Sequence, residues 1–164
     1  NSSGIFLGGT VYCDLVRPGV ALYGVNPTPG RKNPMRPVVE LKGRIIQVRT
    51  IGKGETVGYG ATFTAGRQSR IAVVAVGYAD GFRRGLSGTE VVVAGARAPV
   101  VGTISMDAVA IVLPDAAEAG DRVTLVGEGV LIEEHARVSA TIPYEIACGI
   151  VSRATRSERV VVDE

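Results

Sequence analysis

Four short segments of this 164-residue chain carry residues with chemistry to offer. In Val57-Gly58-Tyr59-Gly60-Ala61-Thr62, glycines on both sides strip side-chain cover from a tyrosine, so a ligand or another chain can approach its hydroxyl. A phenol in such a place can donate a proton or, once its acidity is raised, act as a base. Val76-Gly77-Tyr78-Ala79-Asp80-Gly81 ends an apolar run in an Asp-Gly turn with Tyr78 at its lip. In Gly102-Thr103-Ile104-Ser105-Met106-Asp107 polar groups interrupt an apolar run, and a main-chain N–H there can hold a carboxylate. Arg17-Pro18-Gly19-Val20 reads as a strand-to-helix junction whose N–H groups at Gly19 and Val20 can bind phosphate. Each has a plainer account: an aromatic on a β face beside a bulge at Tyr59, a turn aspartate at Asp80, a bulge at 102–107, a surface arginine beside a proline. From the residues alone the plainer account leads at Tyr59 and at Asp80.

The rest of the composition narrows the chemistry. Three lysines (Lys32, Lys42 and Lys53) stand against 15 arginines, and His135 is the one histidine, so ordinary bases are few. One His and two distant cysteines, Cys13 and Cys148, cannot close a metal site or a disulfide framework, and no metal is expected. Unpaired cysteines suit a reducing compartment. No Walker loop, dinucleotide GxGxxG, HExxH, GxSxG or CxxC is present. The net charge of +2 is dispersed, with no run longer than a pair such as Arg83-Arg84, which argues against a nucleic-acid surface. No apolar run approaches a membrane span and no secretory leader opens the chain, so a soluble, cytoplasmic protein is expected.

The elements that must position these residues read as mainly β. Hydrophobic residues make up 46% and aromatics 5%; Val, Ile and Ala carry the apolar load, and 22 Gly with 8 Pro punctuate it. Asn1 to Gly4 reads as a loop, and Pro18 suits the first turn of a short helix. Three prolines and a glycine between Val25 and Pro34 mark a linker at about 25–36. Period-two patterning then predicts one or two strands over Val38–Thr50 and further strands over Thr56–Thr64, Ser69–Gly77, Glu90–Ala94, Ala98–Ile104, Val109–Val112 and Arg122–Val126. Seven or so such strands indicate a barrel or sandwich. Two short helices follow, over Leu131–Ala140 and from Ile142 with Pro143 near its start, and Val151–Val162 closes as a strand.

Taken in order, the four segments, with the closing stretch from Tyr144-Glu145-Ile146 to Arg153, resemble the alanine racemase family. The intervals of 19 residues from Tyr59 to Tyr78 and 28 from Tyr78 to Met106 are similar to the family's. The resemblance covers essentially the whole chain but only part of the enzyme. It implies that residues 1–24 are the end of a cofactor-binding β/α barrel, 25–36 the linker and 37–164 a C-terminal β domain. It further implies pyridoxal phosphate as cofactor, alanine as substrate, and a head-to-tail homodimer in which one subunit's β domain offers its tyrosine to the other's barrel.

On that resemblance Tyr59 matches the catalytic tyrosine, Tyr78 a tyrosine at the mouth of the substrate channel, and Met106 the residue whose main-chain N–H contacts the substrate carboxylate. Arg17 matches the arginine facing the pyridine nitrogen, and Ser2, Gly19 and Val20 match the residues holding the cofactor phosphate. Ser105 stands where a cysteine is frequent, and at Ser152 some relatives carry a tyrosine that contacts the phosphate. None of Lys32, Lys42 or Lys53 matches the lysine that binds the cofactor, so the 164 residues alone are expected to be inactive. Other expectations compatible with the pattern are a racemase for another amino acid, such as serine, and a non-catalytic module that kept the β fold.

Overall fold

In the computed structural model, which describes residues 1–151, 158, 160 and 161, the alternating apolar stretches close into an antiparallel barrel. The strands are β1 (Leu41–Ile51), β2 (Thr56–Val57), β3 (Phe63–Thr64), β4 (Ser69–Val74), β5 (Glu90–Val93), β6 (Ala96–Val101), β7 (Val109–Val112) and β8 (Arg122–Val126). Six of them form the barrel in the order β1-β4-β7-β6-β5-β8, and β2 and β3 form a separate hairpin. Between barrel and sandwich, the barrel is the outcome.

Closure depends on β1. Its first half, from Leu41 to Arg44, pairs with β8 and its second, from Ile45 to Ile51, with β4, with irregular register at Leu41/Lys42 and Ile45/Gln47. Such bulges bend and twist a strand, letting one strand serve two neighbours and removing open edges. This is also why Val38–Thr50, a stretch compatible with two strands, is one.

Alternation decides which side chains fill the interior. Val91 and Val93 on β5, Ala98 and Val100 on β6, Val109 and Ile111 on β7, and Val123 and Leu125 on β8 point into one core with Ile45, Phe82 and Leu86. A second cluster explains why β4 buries neighbouring residues of both parities. Ile51, Ile71 and Val101 face outward and are covered by Val57 and Phe63 of the β2–β3 hairpin. A third joins Val20, Val25 and Val126 to Ile132, Ala136 and Ile146.

The helices come close to expectation. α1 (Ser2–Ile5) forms where a loop was read, because the Asn1 side chain accepts from the Gly4 N–H and caps the turn. α2 (Ile132–Val138) and α3 (Pro143–Gly149) match the two short helices, Pro143 taking the first-turn position where its missing N–H costs nothing. Pro18 does not start a helix: a 3₁₀ turn begins two residues later, at Val20–Tyr23. The strand expected over Val151–Val162, and Ser152, lie outside the described residues apart from Val151, Glu158, Val160 and Val161. No helix among the described residues is long and apolar enough to cross a membrane.

His135, the lone histidine, goes to structure. It is 1% exposed, its ring meets Phe82 edge-on at 5.5 Å, and its Nε2 has no hydrogen-bond partner among the described residues. Burial disfavours the imidazolium and pushes its pKa down to about 4. Below pH 6.5 the unfolded chain therefore binds a proton that the folded chain refuses, so His135 costs stability as pH falls from about 6.5 to about 4. The full effect is about 3 kcal/mol. Urea unfolding at pH 7 and pH 4.5 is expected to show a larger stability loss in the wild type than in His135→Leu, and equal losses would contradict this account.

Candidate functional site

The segment linking β6 to β7, residues 102–107, holds two of the other motifs in place. The Tyr78 N–H donates to the Ser105 carbonyl at 3.1 Å, and the Ala79 N–H to the Met106 carbonyl at 3.0 Å. Gly77 lies so close to the Ser105 and Met106 main chain that a Cβ would overlap both carbonyls. The Asp80 carboxylate, buried, accepts from the Gly77 N–H at 3.0 Å and closes this turn. Asp80 is thus the turn aspartate of the plainer account, and the turn it closes presents Tyr78 at 47% exposure.

The Tyr59 hairpin meets the same segment from the other side. Tyr59 does not lie on a β face, as a continuous strand over 56–64 would have it. It opens a tight turn (Tyr59–Ala61) between β2 and β3, because Gly58 and Gly60 adopt φ of +81° and +74°. A Cβ on Gly58 would stand 2.9 Å from the Thr103 nitrogen, and one on Gly102, itself at φ +70°, 2.8 Å from the Val57 carbonyl. The two main chains touch where no side chain fits. Thr103 Oγ1 donates to the Tyr59 carbonyl at 3.1 Å and lies 3.2 Å from Thr62 Oγ1.

Segment 102–107 is also closed on itself. The Ser105 hydroxyl donates to the Ala108 carbonyl at 2.8 Å and accepts from the Ala108 N–H at 3.1 Å. This is a loop between two strands rather than a bulge within one, and its bonds leave the Met106 side chain 53% exposed. Beside it, Tyr59, Thr103, Ser105, Val73 and Ala110 are among the residues lining an open depression of about 370 Å³. The ring of Tyr59 is 75% exposed over it.

A second group lies in the first 24 residues. The buried Ser2 Oγ accepts from the Gly19 N–H at 2.9 Å and from the Ala21 N–H at 3.3 Å, which gathers Ser2, Gly19 and Val20 at the start of the 3₁₀ turn. Arg17, two residues before Gly19, is exposed. Among the described residues no hydrogen bond or ion pair joins this group to Tyr59, Tyr78 or Met106. Helix α3 touches both regions: Ile146 packs with Val20, while Arg83 and Glu145, on the Tyr78 side, form an ion pair at 2.8 Å. That pair, with the Thr141 hydroxyl, holds the Glu145 carboxyl below its ordinary range. No group of acidic, cysteine or histidine side chains among the described residues is arranged to hold a metal.

Thr62 and Thr103 were not singled out as functional in the sequence. Both stand inside segments that were, but 41 residues apart, and nothing in either segment marks the other as its partner.

Comparison with known proteins gives this geometry a family. The description of the alanine racemase C-terminal domain matches residues 38–158. The chain is similar to the alanine racemase of Methylobacterium sp. (strain 4-46), 51% identical over 99% of this chain and 45% of that protein. It is similar to the biosynthetic alanine racemase of Agrobacterium fabrum, 42% identical over 99% of this chain and 46% of that one. Among solved structures, the alanine racemase of Bartonella henselae with covalently bound pyridoxal phosphate superposes with a TM-score of 0.83 at 40% identity, over 91% of this chain and 43% of that one. The chain thus spans less than half the length of these relatives.

The backbone contact between Gly58 and Gly102 makes its own prediction. Gly102→Val adds a side chain at a left-handed φ and drives it into the Val57 carbonyl, at a cost of about 2 kcal/mol or more. Denaturant unfolding should report that loss, whereas Gly85→Ala, at a position with open space, should leave stability within about 1 kcal/mol.

Proposed function

This chain belongs to the alanine racemase family, and from that premise we propose that it is the C-terminal portion of a cytoplasmic, homodimeric, pyridoxal-phosphate-dependent racemase of alanine. One observation carries the reading above the others: Tyr59 is held by main-chain contacts at the barrel end with its ring 75% exposed, so its phenol is offered outward to something else. In this reading Tyr59 is the catalytic residue that takes or gives the Cα proton on one face of alanine. The Met106 N–H holds the substrate carboxylate, and Tyr78 stands at the mouth of the channel through which alanine arrives.

The first 24 residues supply the cofactor side. The Ser2 hydroxyl accepts from the Gly19 and Ala21 N–H groups and so keeps its own proton to donate to a phosphate, with Arg17 two residues before Gly19. Ser2, Gly19 and Val20 would hold that phosphate, and Arg17 would face the pyridine nitrogen. A guanidinium does not release its proton, so Arg17 would bind the nitrogen without protonating it. Pyridoxal phosphate, when bound, acidifies the Cα–H by delocalising charge into its ring. Its attachment point is not among Lys32, Lys42 and Lys53, which lie in the linker and in the β domain.

In a head-to-tail dimer one chain would give its phosphate-binding half to one site and its exposed Tyr59 to the other. The two free, exposed cysteines, Cys13 and Cys148, fit a reducing cytoplasm.

Tyr59→Phe in the full-length protein tests the reading. It removes the proton carrier while keeping the ring, so alanine racemisation is expected to fall by about 10² to 10⁴. Cofactor absorbance and dimer mass should remain as in the wild type. A variant within a few-fold of wild-type activity, or a wild type that does not interconvert the alanine enantiomers, would overturn it.

A further inference from the structure

The hairpin that carries Tyr59 is too small to hold itself. β2 and β3 contribute two residue pairs, Thr56 with Thr64 and Val57 with Phe63, and two-stranded hairpins of any length are marginal alone. Val57 and Phe63 fix its base by packing on the outside of the barrel. The tip is a different matter. Three of its residues, Gly58, Gly60 and Ala61, have φ of +81°, +74° and +48°, and the exposed ring of Tyr59 anchors nothing.

Among the described residues, the side chain that hydrogen-bonds to the tip from another element is that of Thr103. Its Oγ1 has two partners, the Tyr59 carbonyl and Thr62 Oγ1. A hydroxyl has one proton to give, and a carbonyl only accepts. Thr103 must therefore donate to Tyr59, which leaves Thr62 as the donor to Thr103. The direction of both bonds is set, and a chain of bonds donated in one direction is strengthened along its length. Because Thr103 follows Gly102, whose main chain lies against Val57 and Gly58, its hydroxyl is delivered from a point where the two main chains touch.

We propose that Thr103 is the positioning residue for Tyr59: its hydroxyl, oriented by Thr62, clamps the Tyr59 main chain and sets where the phenol is presented. Thr103 touches no reacting atom and acts through Tyr59. The clamp stands on the hydrogen bonds alone, whereas its consequence for proton transfer rests on the racemase reading above.

Three variants of the full-length protein test it: Thr103→Val keeps the shape and removes the hydroxyl, Thr103→Ser keeps the hydroxyl, and Thr62→Val removes the upstream donor. Hydrogen exchange at the Ala61 amide, which bonds to the Gly58 carbonyl, reads the clamp without any activity. It should speed up by about fivefold to tenfold in Thr103→Val, by less in Thr62→Val, and not at all in Thr103→Ser. Unchanged exchange in Thr103→Val overturns the proposal. In turnover, Thr103→Val should lower kcat by about tenfold with KM within about twofold, and Thr103→Ser should restore it. With Cα-deuterated alanine, the isotope effect on kcat should rise only in the direction in which Tyr59 takes the proton. A rise in both directions, no rise in either, or a serine variant as impaired as the valine one overturns the positioning role. A wild type without racemisation defeats the racemase reading instead, and exchange at Ala61 then decides the clamp.

Discussion

The structure turns on three glycine contacts that leave no room for a Cβ. Residues 102–107 lie against the Tyr59 hairpin through Gly58 and Gly102 and against the Tyr78 turn through Gly77. At each contact a Cβ would overlap main-chain atoms, so backbone approaches backbone and hydrogen bonds follow: Thr103 to Tyr59, Tyr78 to Ser105, Ala79 to Met106. Contacts of this kind have few alternative arrangements, since no side chain can rotate to relieve them. The closed barrel behind them, with β6 and β7 holding the two ends of the segment, makes that interlock a fixed base. The relative placement of the two tyrosines is thereby a property of the backbone.

Such an arrangement leaves both phenols uncommitted to packing. In most proteins a tyrosine is positioned by burying its ring, which fixes the hydroxyl but hides it. Here the main chain does the positioning and the rings are exposed, Tyr59 more than Tyr78. Moving a proton at carbon needs a site from which water is excluded, and no described residue covers the Tyr59 ring. On the proposed reading the cover is a second subunit, and the open depression lined by Tyr59, Thr103 and Val73 is part of the surface it closes. On the same reading the residues assigned to the cofactor, in the first 24, would act with a different copy's tyrosine.

Much of this was legible in the residues. The bounds of β7 and β8 follow from period-two apolar runs between turn signals, and α3 from Pro143 ahead of an apolar face. What was not legible was where local rules compete. The stretch 56–64 has strand composition, but Gly58 and Gly60 break it into a hairpin; Asn1 to Gly4 has loop composition, but one asparagine cap makes it helical. At the site, each segment could be picked out by its glycines and hydroxyls. That Thr62 and Thr103 meet could not, because a contact across 41 residues is set by how the barrel closes and leaves no periodic trace.

Scarcity of bases sharpens the case for a phenol as the proton carrier. The single histidine is spent in the core, where burial against Phe82 holds it neutral. Asp80, the carboxylate closest in sequence to the site tyrosines, is engaged by the Gly77 N–H and cannot move without opening the turn that presents Tyr78. Lys42 pairs with Glu40 on β1's approach, and Glu145 is held by Arg83. His135, Asp80, Lys42 and Glu145 are thus each engaged within the fold. Tyr59 differs from them: its main chain is tied down while the residue is exposed, a combination that suits a proton carrier.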